Sequence, residues 1–565
     1  MDFLKKFLFL DTALYLLYNS SIEIIIPTNL FGSQIENTMK KLSLSQRSAN
    51  IFNRGFFVFY IGLFALTLIG GMIAVAVFGE LGSEYPMPVT LVILRFAVLI
   101  LSFAAVAFAF IALSRFLAES PLADKLSIRK QNTSIIFICV GLMLVIQLVF
   151  MFCLQMNPVT DVSIIDSYAQ RIVSENSFDC IDSDFNGHYI VRYQNNLVYL
   201  LINTLVYKLT GTTSHLPLTI LSTLSINGAV LMTVLTSRRV FGKRKALFTL
   251  VLCAFFTPYY TYTAYFYTDS YSIPFVIGTV YTFVVAIQSK TKAKMLLFLL
   301  LSGALCFIGF KVKGSVIVLI PALLLYLIIK HGIKRAAKAG VAILLSFCLL
   351  FASFTVALKN SGIISEESSQ RYQFPPTHWV MMGLKDLGAF NEEDSDFSKS
   401  LSSKSERQEE NLKEIGRRIS DMGAVGLAKH LGGKVVWTYM DGTYYIANYL
   451  SHYKHRTPLH ELVLYDGKLR FPFFAFCFGY QMFLMLMTAC SGLYSSRKGK
   501  AGLTLLFRIA VFGMVIFFMI WETNARYPFN FTPLLMLLAT DGTFGLSEKL
   551  KKKAFKSSKT PQKKP

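Results

Sequence analysis

Apolar runs recur along the chain from end to end, and they restrict its fold more than any other feature. Twelve of them, at about 54–79, 89–113, 134–156, 216–236, 246–264, 271–287, 295–310, 314–329, 340–357, 471–494, 504–521 and 527–541, read as membrane spans. The composition agrees: 54% of the 565 residues are hydrophobic and 16% are charged, against about a quarter charged in a soluble domain. A mean hydropathy of +0.50 excludes an ordinary soluble enzyme and a disordered chain alike. The predicted fold class is an all-α polytopic membrane protein of about 12 transmembrane helices with a small extracytoplasmic insert, α or α+β.

A net charge of +23 would point to nucleic acid in a soluble protein. Here it gathers in loops that set topology. Loop 237–245 carries Arg238, Arg239, Lys243, Arg244 and Lys245; loop 288–294 carries Lys290, Lys292 and Lys294. Loop 330–338 carries Lys330, Lys334, Arg335 and Lys338; loop 495–500 carries Arg497, Lys498 and Lys500. These loops, the basic loop 114–133 and the lysine-rich tail all fall on one side of a twelve-span chain. Loop 80–88, with Glu80 and Glu84 and no basic residue, falls on the other. The expectation is a multi-pass protein of the cell membrane with both termini cytoplasmic.

The order of segments follows. Residues 1–53 form a cytoplasmic or interfacial segment, in which 2–18 read as an interfacial helix rather than a cleaved signal. Two spans occupy 54–133, a transmembrane core with an outer loop at 157–215 occupies 134–357, and 358–470 is an extracytoplasmic domain. That last segment is too long for a structureless loop, and it carries 15 acidic and 15 basic residues. Within it Ser405–Ile419 reads as an amphipathic helix. Residues 471–541 hold the last spans, and 542–565 form a basic tail suited to anionic lipid. Seven of the eight cysteines lie in apolar runs and Cys180 alone falls in a polar loop, so no disulfide framework is expected.

Ionisable residues at the outer membrane face are functional candidates, because burying charge in a bilayer is expensive. Asp161 follows the third span by a few residues, at a depth where it could take a proton from an acceptor hydroxyl. Asp166 lies five residues on; both also read as solvated loop acids. Asp269 sits in a tight outer turn crowded by Tyr259, Tyr260, Tyr262, Tyr265 and Tyr267, either a site or an aromatic belt. Lys311 and Lys313 form a basic cluster in an outer turn, which the positive-inside rule disfavours. They suit a lipid-linked phosphate, or they snorkel. Arg526 could clamp a phosphate while Glu522 orients it or binds a sugar hydroxyl; the two could instead pair with each other. His378 lies beside Trp379. Asp182-Ser183-Asp184 and Asp394-Ser395-Asp396 are strings of the kind that hold a divalent cation. There is no Walker loop, HExxH or paired CxxC, so ATP-driven transport and zinc hydrolysis have no support.

Taken in order, these positions resemble the GT-C superfamily of integral-membrane glycosyltransferases. The nearest likeness is to bacterial relatives of the protein O-mannosyltransferases and aminoarabinose transferases, glycosyltransferase family 39. The elements are Asp161 in NPVTDVSIIDSYAQRI, Arg192-Tyr193-Gln194-Asn195-Asn196, the turn Tyr267 to Pro274, Lys313-Gly314, His378 to Leu384, and Glu522, Arg526, Tyr527 and Pro533. They span about 134–541. Two spans and an N-terminal segment precede the usual start. Val162 stands where an adjacent acid is common in the family, which leaves Asp166 open as the base.

The resemblance implies a polyprenyl-phosphate-sugar donor, Asp161 or Asp166 as general base, and Lys311, Lys313 and Arg526 around the phosphate. Asp269, Glu522, His378, Tyr193 and Asn195 would meet sugar or acceptor. Transfer would proceed with inversion onto a glycan, lipid or protein at the outer face, with no nucleotide, no required metal and no nucleic-acid partner. A transporter or flippase of lipid-linked sugars explains the spans and buried cations equally well, but not a folded ectodomain. A polysaccharide polymerase or ligase would favour arginine-rich outer loops.

Overall fold

The computed structural model describes residues 44–79, 87–497 and 502–558. The interfacial helix expected at 2–18, the acidic turn with Glu80 and Glu84, and the end of the basic tail lie outside the described residues. A bilayer forces each spanning segment to satisfy its own backbone, so apolar runs become helices. Each of the twelve runs falls in a helix or a bent helical pair. The main helices are α1 (Leu44–Ile73), α2 (Val89–Glu119), α3 (Arg129–Cys153), α4 (Thr160–Glu175), α5 (Leu197–Thr210), α6 (Leu216–Phe241), α7 (Lys243–Phe255), α8 (Thr268–Ile287), α9 (Lys292–Val312), α10 (Leu319–His331), α11 (Ile333–Ser361), α12 (Lys404–Tyr439), α13 (Arg470–Arg497), α14 (Thr504–Ile520) and α15 (Thr532–Ser558).

Among the described residues nine helices are long and apolar enough to cross a membrane. A tenth span forms if α7 and the following Pro258–Ala264 count as one, bent by 62°. The last two expected runs differ. Helix α14 has only 17 residues, and α15 turns polar and basic in its second half. Both are enclosed: Leu505 to Val511 and Leu534 to Ala539 are buried by neighbouring helices. A helix sheathed in protein need not be apolar along its whole length.

Close approach builds the centre. A Cβ on Gly542 of α15 would lie 1.9 Å from the Met487 carbonyl of α13, and one on Gly303 of α9 would lie 2.2 Å from the Ile343 carbonyl of α11. Small residues at crossings let helix backbones meet, where dispersion and not hydrophobicity drives association. Helix α13 is the axis, with 83% of its apolar window buried, whereas α11 shows 11% and runs along the rim.

The two ends of the bundle differ. At one end the basic loops meet: Arg244 donates to the Ala118 carbonyl at 2.7 Å, Arg238 to Thr133 at 2.8 Å, and Lys551 pairs with Glu119 at 2.8 Å. Arg508, fully buried in α14, ties Asn53 of α1 (2.9 Å), the Ser491 carbonyl of α13 (3.2 Å) and Thr504 (3.0 Å) together near the same end.

The other end carries the segment between α11 and α13. It is helical, with α12 as its longest element, and no strand occurs among the described residues. Gly423 (φ 57°) kinks α12, and its second half lies on α1, with Val436 against Gly70. A single antiparallel bridge, Met156 to Tyr453, stitches this insert to the chain just before α4. Asn157 N–H donates to the His452 carbonyl at 2.8 Å and Lys454 N–H to the Gln155 carbonyl at 2.9 Å.

Candidate active site

Four chain segments remote in sequence end together under the insert: the start of α4, the start of α8, the turn after α9 and the loop from α14 to α15. Asp161 and Asp269 each lie in the first turn of their helix, where exposed N–H groups favour negative charge. Thr160, just before Asp161, adopts φ 53°. That conformation is rare for a β-branched residue and turns the chain abruptly into α4.

Asp269 is fully buried between two cations. It forms a short ion pair with Lys313 Nζ, and its other oxygen lies 3.5 Å from Arg526 Nη1. Arg526 also donates to the Tyr265 hydroxyl at 2.6 Å. The rings of Tyr267, Tyr449 and Tyr527 surround its guanidinium at 4.9, 5.3 and 5.3 Å. Its Nε is buried with no hydrogen-bond partner. Lys313 stands over the Tyr527 ring at 4.7 Å, and burial pushes its ammonium below the ordinary lysine range. With two cations against one carboxylate, the cluster carries an excess positive charge.

Asp161 stands across from it. Its carboxylate accepts from Tyr189 at 2.7 Å and from Tyr267 at 3.2 Å. Tyr267 therefore joins both halves, its hydroxyl on Asp161 and its ring under Arg526. Asn196 donates to the Tyr189 hydroxyl at 3.1 Å, and Asn195 donates to Asn196 at 3.3 Å, one step removed. The Tyr193 ring lies 4.8 Å from Tyr189 and 6.4 Å from Trp379. Glu522 accepts from Tyr527 at 2.8 Å, and its N–H donates to the Trp379 carbonyl at 2.9 Å. Burial first, and the nearby Asp161 charge as well, push its carboxyl up to about 7.

Three expected residues stand elsewhere. Asp166, five positions along α4, faces another side of that helix, where Tyr207, Gln170 (2.7 Å) and His215 (3.0 Å) occupy its oxygens. Lys311 points toward α11, 4.6 and 4.7 Å from the rings of Phe351 and Phe354. Lys311 is the last-turn residue of α9 and Lys313 the extended residue just past its end, and the two ammonium groups point to different places. His378 is buried inside the insert, 2.8 Å from the Ser398 hydroxyl, and burial holds its imidazole at about 4. Of the Asp-Ser-Asp strings, Asp394 is taken up by Arg418 at 2.6 Å. No group of three or more His, Cys, Asp or Glu fit for a metal occurs among the described residues.

Sequence reasoning missed Tyr189, Tyr449 and Lys434. The tyrosines carry no local signal. Lys434 did: it is a lone cation in the stretch Gly432-Gly433-Lys434-Val435-Val436-Trp437. It is 1% exposed, and its ammonium donates to the Gly383 carbonyl at 2.8 Å.

With fold and site described, the chain can be placed. It belongs to the family described as conserved hypothetical integral membrane proteins, which matches residues 48–543. No curated protein matches. Among solved structures it is similar to ArnT from Cupriavidus metallidurans bound to undecaprenyl phosphate, at 14% identity and a TM-score of 0.32, over 77% of this chain and 82% of that one. It is also similar to an oligosaccharyltransferase from Archaeoglobus fulgidus in the apo form, at 14% identity and a TM-score of 0.37, over 77% of this chain and 53% of that one.

Proposed function

We propose that this protein is a membrane glycosyltransferase that moves a sugar from a polyprenyl-phosphate donor to a hydroxyl of a cell-envelope acceptor. The observation that carries the reading is the meeting of Asp161 with the Lys313–Asp269–Arg526 cluster around Tyr267 in one enclosed site. The reaction needs a base at one edge of a cavity and fixed positive charge at the other. Asp161 removes the proton of the acceptor hydroxyl as its oxygen attacks the anomeric carbon. The bond from that carbon to the phosphate oxygen breaks, and its electron pair leaves on the phosphate. Attack opposite the leaving group inverts the centre. Lys313 and Arg526 stabilise the charge that develops on the departing phosphate, and the unpartnered Arg526 Nε gives that phosphate a donor. Asp269 keeps the two cations together before the anion arrives. The reaction draws on side chains alone, without nucleotide or metal.

The proposed side is the outer leaflet. The basic loops gather at the end of the bundle remote from the site, and the positive-inside rule puts such loops in the cytoplasm.

The test uses purified full-length protein in detergent with undecaprenyl-phosphate hexoses and envelope glycans. Release of undecaprenyl phosphate with sugar on the acceptor supports the reading. Movement of intact donor between leaflets of a proteoliposome, with its sugar–phosphate bond unbroken, replaces it with transport.

A further inference from the structure

The insert places a charge of its own at the site. Lys434 rises from α12 into a recess that two glycines make possible: a Cβ on Gly388 would lie 2.4 Å from its Cε, and one on Gly383 would lie 3.0 Å from its Nζ. Inside that recess its ammonium has one hydrogen-bond acceptor, the Gly383 carbonyl, which His430 Nε2 also approaches at 3.0 Å. Enclosing an ammonium this way is costly unless a counter-charge answers it. The counter-charge is Glu522. Both approach Gly383, where a Cβ would lie 3.0 Å from the Lys434 Nζ and 2.9 Å from the carbonyl carbon of Trp521, the residue before Glu522; the two charges act on each other without a direct ion pair. Glu522 is fixed at both ends, by its N–H on Trp379 of the insert and its Oε1 on Tyr527. No described residue donates to Oε2.

Glu522 is also the second carboxylate of the site. The groups that act on it are Asp161 from α4, Arg526 and Tyr527 from its own loop, Lys313 from the turn after α9, Tyr193 from the turn before α5, and Lys434 from α12. Arg526 is already engaged with Asp269 and Tyr265. Two neighbouring carboxylates in a poorly solvated setting resist ionising together. A base at Asp161 and a hydroxyl-accepting carboxylate at Glu522 both need to be charged.

We propose that Lys434 is the positioning residue that lets Glu522 ionise beside the Asp161 carboxylate, so that the insert sets the acid limb of the transfer reaction. The inference rests on the glycosyltransferase reading for its kinetic consequence, but the coupling of Lys434 to Glu522 stands apart from any activity. Burial pushes the Lys434 ammonium down to about 7.

The experiment is an infrared titration of the full-length protein in detergent. The protonated-carboxyl band that Glu522→Gln removes is followed against pH in wild type, Lys434→Met and Lys434→Arg. The expected midpoint moves up by about one pH unit in Lys434→Met, the scale of a close charge, and returns in Lys434→Arg. The reciprocal measurement follows the lysine Cε resonance by NMR, where Glu522→Gln moves the Lys434 midpoint down; it also serves if Lys434→Met does not fold. In the kinetic arm, with undecaprenyl-phosphate hexoses, the acid limb of kcat/KM in Lys434→Met moves up by the same amount while the plateau rate holds. Unmoved midpoints overturn the proposal, as does a lowered plateau with an unmoved limb. Moved midpoints in a protein that transfers no sugar keep the coupling and end the glycosyltransferase reading instead.

Discussion

At the scale of single residues, the site separates groups that a linear reading groups together. Asp161 and Asp166 share one helix, yet one faces the cationic cluster and the other is tied to Tyr207 and His215. Asp161→Asn is expected to lower turnover at least about 100-fold, the usual worth of a general base, while undecaprenyl phosphate still binds in a calorimetric titration. Asp166→Ala should instead lower the melting temperature. Full activity in Asp161→Asn would remove it as the base. Asp269→Ala leaves Lys313 and Arg526 facing each other without a counter-ion. Breaking a buried ion pair in this way costs about 3–5 kcal/mol, and added undecaprenyl phosphate should restore part of the melting temperature. Glu522 gives a pH-dependent case. Its carboxyl is raised to about 7, so the folded state keeps a proton that the unfolded state has released at lower pH. The stability it contributes is full below its ordinary range and is lost as pH rises through about 7. Glu522→Gln should therefore gain in melting temperature over wild type at about pH 8 and show little gain at about pH 5.

At the scale of elements, helices were legible and their crossings were not. Apolar runs announce spans because a bilayer admits little else, so α1 to α3 and α8 to α11 stand where hydropathy predicts them. Helix α15 was harder to read, since a segment wrapped in protein is released from that rule. The acidic and basic ends of the site could be named from unusual charge in the turns that end apolar runs, as Lys313 and Arg526 show. Their convergence could not, because it depends on Tyr267 and on contacts between residues more than 100 apart. Lys311 shows the limit of adjacency: it still belongs to α9 and enters a phenylalanine cage, whereas Lys313, just past the helix end, enters the site. Crossings make their own prediction. Gly542→Leu should prevent α13 and α15 from meeting and abolish a monodisperse peak in size-exclusion chromatography. Gly314→Ala, with open space around its Cβ, should leave that peak unchanged.

At the scale of the whole molecule, charge divides the bundle into a basic end and a site end, and the insert covers the latter. A membrane-impermeant thiol reagent applied to intact cells should label Ser402→Cys on the insert, in a background without native cysteines. Ser289→Cys, in a basic loop, should react only after the cells are opened; the reverse pattern would turn the protein over in the membrane. The seam at Met156 and Tyr453 has a mechanical meaning. Its two backbone hydrogen bonds, Asn157 N–H to the His452 carbonyl and Lys454 N–H to the Gln155 carbonyl, clip the cover to the strip of chain that leads directly into Asp161. Load on the insert is therefore passed to Asp161 along the short run of backbone that begins at Asn157.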